Sequence, residues 1–145
     1  MIRKAEDCKK ETRTAMRGGQ GEVHLTALAT KEELLNHARM HNVIELPAGS
    51  GIGYHEHEGE TEIFYILEGE PTYNDNGTEV KLHVGDVAIC PPGEGHAITN
   101  KINRFGTNII GHDGVQRKDP AVDHKAAYNI QCCVEHKDKR AQRET

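Results

Sequence analysis

The sequence lacks several features that would assign it to a common class of proteins. Basic residues do not predominate, because 23 acidic side chains outnumber 18 lysines and arginines and the formal net charge is −5. Nucleic acid and anionic membrane surfaces are therefore not expected partners. No segment approaches the roughly 20 apolar residues of a membrane span, and the N-terminal residues lack the apolar stretch of a secretion signal.

Cysteine pairs at metal or redox spacing are also missing. The four cysteines, Cys8, Cys90, Cys132 and Cys133, show no C-x-x-C pattern. Without a secretion signal, we expect reduced thiols and a cytoplasmic location. The vicinal pair Cys132 and Cys133 could sense redox state or bind a soft metal, although no other ligand at metal spacing lies near it. Cys90 precedes Pro91 at a strand end, where a small buried hydrophobic role is expected.

A chain of 145 residues is long enough for one domain with its own core. We expect a polar N-terminal arm over residues 1–21, a barrel over 22–115, and a C-terminal extension over 116–145 that ends in a charged tail. The arm could exchange with a second subunit.

Short apolar runs separated by glycine and proline turns dominate the chain. They predict strands over residues 22–28, 42–46, 62–68, 87–90, 96–100 and 105–110. The alternation of Val80, Leu82 and Val84 with polar residues after the Asn76-Gly77 turn predicts a further half-buried strand. The capping box from Thr30 to Glu33 predicts one short helix over residues 31–35, and residues 126–134 could form a last strand or helix. The pattern indicates an all-β sandwich or barrel of the jelly-roll kind.

One stretch carries residues of a metal site. His55 and His57 alternate and should share one face of a strand, and a short turn could return Glu62 to the same place. His96 begins a later strand after a Pro/Gly turn, so it could add a third imidazole. Such a ligand set suits Fe, Mn, Ni, Cu or Zn, and the ligand types alone do not choose among these metals.

These residues resemble the cupin superfamily closely. The first cupin motif, G-x5-H-x-H-x4-E-x6-G, is matched by Gly49, His55, His57, Glu62 and Gly69. The second motif, G-x5-P-x-G-x2-H-x3-N, is matched at every position by Gly85, Pro91, Gly93, His96 and Asn100. The short stretch between the motifs is similar to that of small bacterial single-domain cupins.

The resemblance implies a double-stranded β-helix that pairs as a homodimer, with His55, His57, Glu62 and His96 as ligands of one divalent transition metal. The alternative is a polar barrel interior that holds no metal tightly. Strand alternation would place Phe64 and Ile66 beside Glu62, and Ile98 and Asn100 after His96. Packing in the core is the expected role of these four wall residues, and contact with a substrate is the alternative.

Two other metal or nucleotide motifs are excluded. Gly49, Gly51 and Gly53 do not form the dinucleotide motif G-x-G-x-x-G, which requires glycine where Tyr54 stands. The zinc-protease motif H-E-x-x-H requires histidine where Gly59 stands. Tyr73 is a further candidate for the barrel interior, although its facing is not predicted.

The resemblance does not imply one reaction, because cupins support many. The first hypothesis is an enzyme that uses its metal on a small polar organic molecule, with oxygenase, decarboxylase or isomerase chemistry. The second is a binding or sensing module that holds a small molecule without converting it.

Overall fold

The computed structural model describes residues 1–101 and 107–115. Ten strands occur within these residues: β1 (Lys10–Thr14), β2 (Glu22–Ala29), β3 (Ala38–Leu46), β4 (Gly51–Glu56), β5 (Glu60–Glu68), β6 (Thr72–Asp75), β7 (Thr78–Lys81), β8 (Val87–Cys90), β9 (Gly95–Thr99) and β10 (Thr107–Val115). Two short 3₁₀ turns, Ala5–Asp7 and Met16–Gly18, are the helical elements of this part of the chain. Neither is long and apolar enough to cross a membrane.

The strands form two antiparallel sheets. The larger has the order β1-β2-β3-β10-β5-β8, and the smaller has the order β4-β9-β6-β7. Strands that are neighbours in sequence therefore often lie in different sheets, as in β3 and β4 or β5 and β6. This crossing between two facing sheets confirms the predicted jelly-roll fold, a double-stranded β-helix.

The core lies between the inner faces of the two sheets. On β5, Glu62, Phe64 and Ile66 are buried and alternate with partly exposed neighbours. On β9, Ile98 is buried in the same way. Alternation along a strand sends every second side chain to the same face, so the buried side chains of β5 and β9 are apolar except at the motif positions Glu62 and His96.

The predicted helix after Thr30 is wrong. The capping box itself forms, because the Thr30 amide donates to the Glu33 carboxylate at 2.9 Å and the Glu33 amide donates to the Thr30 hydroxyl at 3.2 Å. Leu35 and Asn36 then adopt positive φ values of 52° and 59°, which end the turn before a helix can continue. The chain enters β3 directly afterwards.

The predicted half-buried strand through Val80, Leu82 and Val84 is also wrong in part. β7 ends at Lys81, and only Leu82 of the three is buried, while Val80 and Val84 are 45% and 53% exposed. The reason is the position of β7 at the edge of the smaller sheet, where β6 is its one partner among the described strands. The Asn76-Gly77 hairpin turn that precedes it is confirmed.

The N-terminal arm contributes a strand to the larger sheet. β1 pairs with β2 at the sheet edge, and all five of its residues are exposed. Exchange of this arm between subunits stays a prediction. Residues 102–106 and 116–145 lie outside the described residues, and so do the predictions for residues 126–134, for Cys132 and Cys133, and for the charged tail.

Candidate metal centre

Three strands bring the four predicted ligands together. His55 on β4 lies directly opposite His96 on β9, and Glu62 is the third residue of β5. His57 follows the last residue of β4, where its amide donates to the Glu94 carbonyl and its own carbonyl accepts from the Gly93 amide. The loop before β9 is thus tied to His57, which fixes the two motifs to each other.

The side-chain atoms of these four residues converge on one point. One ligand atom from each of the four lies within 4.8 Å of the others. The His96 and His57 Nε2 atoms are 3.0 Å apart, and they lie 2.7 Å and 3.2 Å from the same carboxylate oxygen of Glu62. The His55 Nε2 atom is 3.6 Å from that oxygen. His57, Glu62 and His96 are buried, and His55 is partly exposed.

Each imidazole turns its other nitrogen, Nδ1, away from this point. The Nδ1 atom of His55 lies 2.9 Å from the Gly53 carbonyl oxygen, and that of His57 lies 3.3 Å from a Glu60 carboxylate oxygen. A carbonyl or carboxylate oxygen only accepts, so Nδ1 carries a proton in both rings and Nε2 is the nitrogen that can bind a metal ion. The Nε2 lone pairs therefore point at the Glu62 carboxylate.

This arrangement fits a cation. Lone pairs of two imidazoles and a carboxylate facing one another repel unless a proton or a metal ion lies among them. Two ligands that each lie about 2.1 Å from one ion are separated by about 3 Å at an octahedral angle and about 3.4 Å at a tetrahedral angle. The observed separations, from 2.7 Å to 3.6 Å, are close to these distances. The four residues therefore provide a nitrogen and oxygen ligand set whose outer hydrogen bonds orient the rings.

Tyr73 on β6 holds the third imidazole. Its hydroxyl lies 2.9 Å from the His96 Nδ1 atom, and its ring packs edge-on against His96 with centroids 5.5 Å apart. Burial raises the pKa of the Tyr73 phenol above its ordinary value, so the group is a neutral hydroxyl at neutral pH. The sequence marks Tyr73 only as a barrel candidate, because its facing depends on the pairing of β6 with β9.

The four predicted wall residues are all buried, but none of them lines the cavity described below. Phe64 stacks on the His96 ring with centroids 5.2 Å apart. The Asn100 side chain donates to the Leu46 carbonyl at 2.8 Å, which ties the end of β9 to the end of β3. Ile66 and Ile98 belong to the hydrophobic core. Contact between any of these residues and a substrate stays a prediction.

Cys90 is buried on β8, directly opposite Glu62 on β5. Burial, with a smaller effect from the negative charge of Glu62, raises the pKa of the thiol to about 11. A thiol with that pKa is protonated at neutral pH, so the structure supports packing rather than a nucleophilic role for Cys90.

A cavity of about 730 Å³ opens beside the cluster. His55 and Glu62 line one side of it. Most of the other lining residues belong to β1, the Met16–Gly18 turn and the strands β2 and β3, and they include the apolar side chains of Met16, Leu25 and Met40. A small molecule in this cavity would contact the candidate metal centre.

Comparison with known proteins identifies the family. The family model described as the cupin domain matches residues 42–104. The oxalate-binding protein of Thermotoga maritima is 44% identical to this chain over 103 residues, which are 71% of the chain and 85% of that protein. The chain belongs to the cupin superfamily.

Two other similarities agree with this assignment. A crystal structure of a protein from Thermotoga maritima, described as a predicted oxalate decarboxylase, resembles this cupin with a TM-score of 0.75 and 39% identity, over 79% of this chain and 99% of that one. The quercetin 2,3-dioxygenase of Bacillus subtilis is 36% identical over 67 residues, which are 46% of this cupin but only 19% of that enzyme.

Proposed function

We propose that this cupin holds one divalent transition metal through His55, His57, Glu62 and His96 and acts on a small polar organic molecule of the oxalate class. The observation that carries the proposal is the convergence of four ligand atoms within 4.8 Å beside an open cavity. The name of the oxalate-binding relative from Thermotoga maritima supports a small carboxylate as the ligand.

The bound ion would act as a Lewis acid that polarises a carboxylate or carbonyl oxygen of the ligand. The protein supplies the rest of the site. Gly53, Glu60 and Tyr73 hold the three imidazole rings through Nδ1, and the Arg39 side chain pairs with Glu60 at 2.5 Å. Arg39 also lines the cavity, so a cavity-wall residue is linked through Glu60 to His57.

A second candidate function is metal-dependent binding without conversion. A decarboxylation requires a proton donor, because oxalate and one proton yield formate and carbon dioxide. Among the described residues that line the cavity, the carboxylates are Glu62, which belongs to the ligand set, and Glu11. A hydrogen bond from Arg13 holds the pKa of Glu11 below its usual value, so Glu11 is ionised at neutral pH and has no proton to donate. This observation favours a binding or sensing role.

Metal analysis of the purified protein tests the proposal. The wild-type chain should hold one transition metal per chain, and His96→Ala should lose it. His83→Ala is the matched control, because His83 is exposed and lies outside the cluster. A wild-type protein that takes up no stoichiometric ion from Fe, Mn, Ni, Cu or Zn would contradict the proposal.

Incubation with ¹³C-labelled oxalate separates the two functions. NMR spectra of the metal-loaded protein with and without oxygen would show labelled formate and carbon dioxide if the protein is a decarboxylase. Metal-dependent binding of oxalate that is recovered unchanged would instead establish the binding role.

A further inference from the structure

The cavity beside the metal centre is positively charged, although the whole chain is negative. Five basic side chains and two acidic ones line it within the described residues: Lys9, Arg13, Arg17, Lys31, Arg39, Glu11 and Glu62. The full sequence, in contrast, has 23 acidic and 18 basic residues, an acidic excess of five. An excess of one sign in a cleft attracts ligands of the opposite sign. The occupant of this cavity is therefore expected to be an anion.

Only some of these cations are available to a ligand. Arg13 forms two hydrogen bonds with the Glu11 carboxylate, at 2.8 Å and 3.2 Å, and Arg39 pairs with Glu60. Within residues 1–101 and 107–115, the Arg17 side chain has no hydrogen bond or ion pair. Among the three arginines that line the cavity, Arg17 is thus the one whose N–H donors are not engaged by another described residue.

The backbone holds Arg17 in an unusual conformation. Its φ and ψ are 53° and 31°, and Ala15 two residues earlier has a φ of 50°. These are left-handed values, which cost a non-glycine residue about 1 kcal/mol or more. Strained residues of this kind persist where the surrounding structure fixes them, and they concentrate at functional sites.

The backbone around Arg17 lies in close contact with β4, the strand that carries His55. Gly19 lies so near β4 that a side-chain carbon added there would be 2.2 Å from the Gly51 carbonyl oxygen. A carbon added at Gly53 would be 2.2 Å from the Arg17 carbonyl oxygen. The backbone of residues 17–19 therefore packs directly on β4, two residues before His55, and both Arg17 and His55 line the cavity.

We propose that Arg17 is the specificity-determining residue of this site. In a small dianion of the oxalate class, it binds the carboxylate oxygens that do not contact the metal ion. The inference rests on the proposed function, because it places one end of the ligand at the metal. Arginine suits this role better than Lys9 or Lys31, because its planar guanidinium can donate two parallel hydrogen bonds to one carboxylate.

Binding of oxalate and of oxamate to metal-loaded variants tests the role of Arg17. Oxamate has an amide in place of one carboxylate, so it keeps the metal-binding geometry and loses one negative charge. Titration calorimetry would compare wild type, Arg17→Met and Arg17→Lys with Lys10→Met. Lys10 is exposed on β1 and does not line the cavity, so Lys10→Met is the control for net charge. Metal content is measured after each titration, because oxalate can extract metal.

Arg17→Met should weaken oxalate binding about tenfold, the size of one hydrogen-bonded charge contact. In Arg17→Met the preference for oxalate over oxamate should fall by a similar factor, and the metal affinity should change less than twofold. Arg17→Lys should keep part of the preference for oxalate. Lys10→Met should bind oxalate like the wild type. Arginine and methionine both carry a Cβ atom, so the substitution leaves the backbone strain unchanged.

Three results would contradict the inference in distinguishable ways. If Arg17→Met binds oxalate as tightly as the wild type, or Lys10→Met shows the same loss, Arg17 has no specific role although the proposed function stands. If the metal-loaded wild type binds no oxalate, the ligand class is wrong and the assignment of Arg17 fails with it. If the wild type binds no metal, the proposed function itself fails.

Discussion

The hydroxyl of Tyr73 should control how tightly the site holds its metal. A metal on the His96 Nε2 atom requires the proton to be on Nδ1, where the Tyr73 oxygen 2.9 Å away accepts it. In Tyr73→Phe the metal-free ring can avoid an unpaired donor, because the proton can move to Nε2 and bind Glu62 at 2.7 Å. Metal binding then forces an N–H group to face an apolar ring.

The cost of that unpaired donor sets the magnitude. A buried donor without a partner costs about 1–3 kcal/mol, and about 1.4 kcal/mol corresponds to tenfold in affinity. Tyr73→Phe should therefore lower metal affinity about tenfold, within the range typical of residues that orient a metal-bound histidine. The ring packing against His96 and Phe64 should be retained, so the metal-free protein should lose only about 1 kcal/mol of unfolding free energy.

Competition with a coloured chelator would measure the affinity, and urea unfolding of the metal-free protein would measure the stability. Tyr65→Phe is the matched control, because it also removes a tyrosine hydroxyl. Tyr65 lies on β5, on the face of that strand opposite to Glu62. A folded Tyr73→Phe protein with wild-type metal affinity would refute the reasoning, and so would an equal loss in Tyr65→Phe.

Two further predictions concern the contact between the N-terminal segment and β4, and the effect of pH. Gly19→Ala should destabilise the protein by about 1–3 kcal/mol, because the new carbon meets backbone, and should weaken oxalate binding as Arg17→Met does. Gly18→Ala is the control, because its new carbon meets no atom within 4 Å and the positive φ alone should cost about 1 kcal/mol. If urea unfolding and calorimetry show equal losses of stability and of oxalate binding in the two variants, the contact of residue 19 with β4 is not responsible. Burial lowers the pKa of His41 in the folded protein. The unfolded chain therefore binds a proton at His41 more tightly than the folded chain does, so the free energy of unfolding should fall as the pH drops below about 6.5. This decrease should level off below the folded-state pKa. In metal-free protein His41→Gln should show a smaller loss between pH 7.5 and 5.5, and an identical loss would show that His41 does not contribute.

The four candidate ligands could be located from sequence because their geometry depends on local rules. His55 and His57 follow strand alternation, and the turn at residues 58–59 returns the chain so that Glu62 can face them. His96 differs, because its position depends on the long-range pairing of β9 with β4, which the resemblance to the cupin motifs implies. The spacing within the first motif was therefore sufficient for three candidate ligands, and the second motif was needed for the fourth.

The outer residues of the site could not be located in this way, because they depend on long-range packing. Tyr73 reaches His96 only because β6 pairs with β9 in a register that places Asp75 opposite His96. Arg17 reaches the cavity only because residues 17–19 pack on Gly51 and Gly53. No local pattern in the sequence states either register.

The wrong prediction of a helix after Thr30 also has a long-range cause. The local signal was correct, since the Thr30 and Glu33 hydrogen bonds form. A short isolated helix is only marginally stable, and here the residues that follow it are part of β3, which pairs with both β2 and β10. The pairing of β3 determines where the turn must end.

Because residues 17–19 pack against β4, the candidate site is built from two separate regions of the sequence. The candidate metal ligands all belong to the two motifs, whereas many of the other residues that line the cavity lie between residues 9 and 17, which precede both motifs. If the proposals above are correct, substitutions in the N-terminal segment should change which ligand is accepted without changing the metal affinity of the four candidate ligands. Proteins that share these motifs can diverge in specificity through a part of the chain that a motif comparison does not inspect.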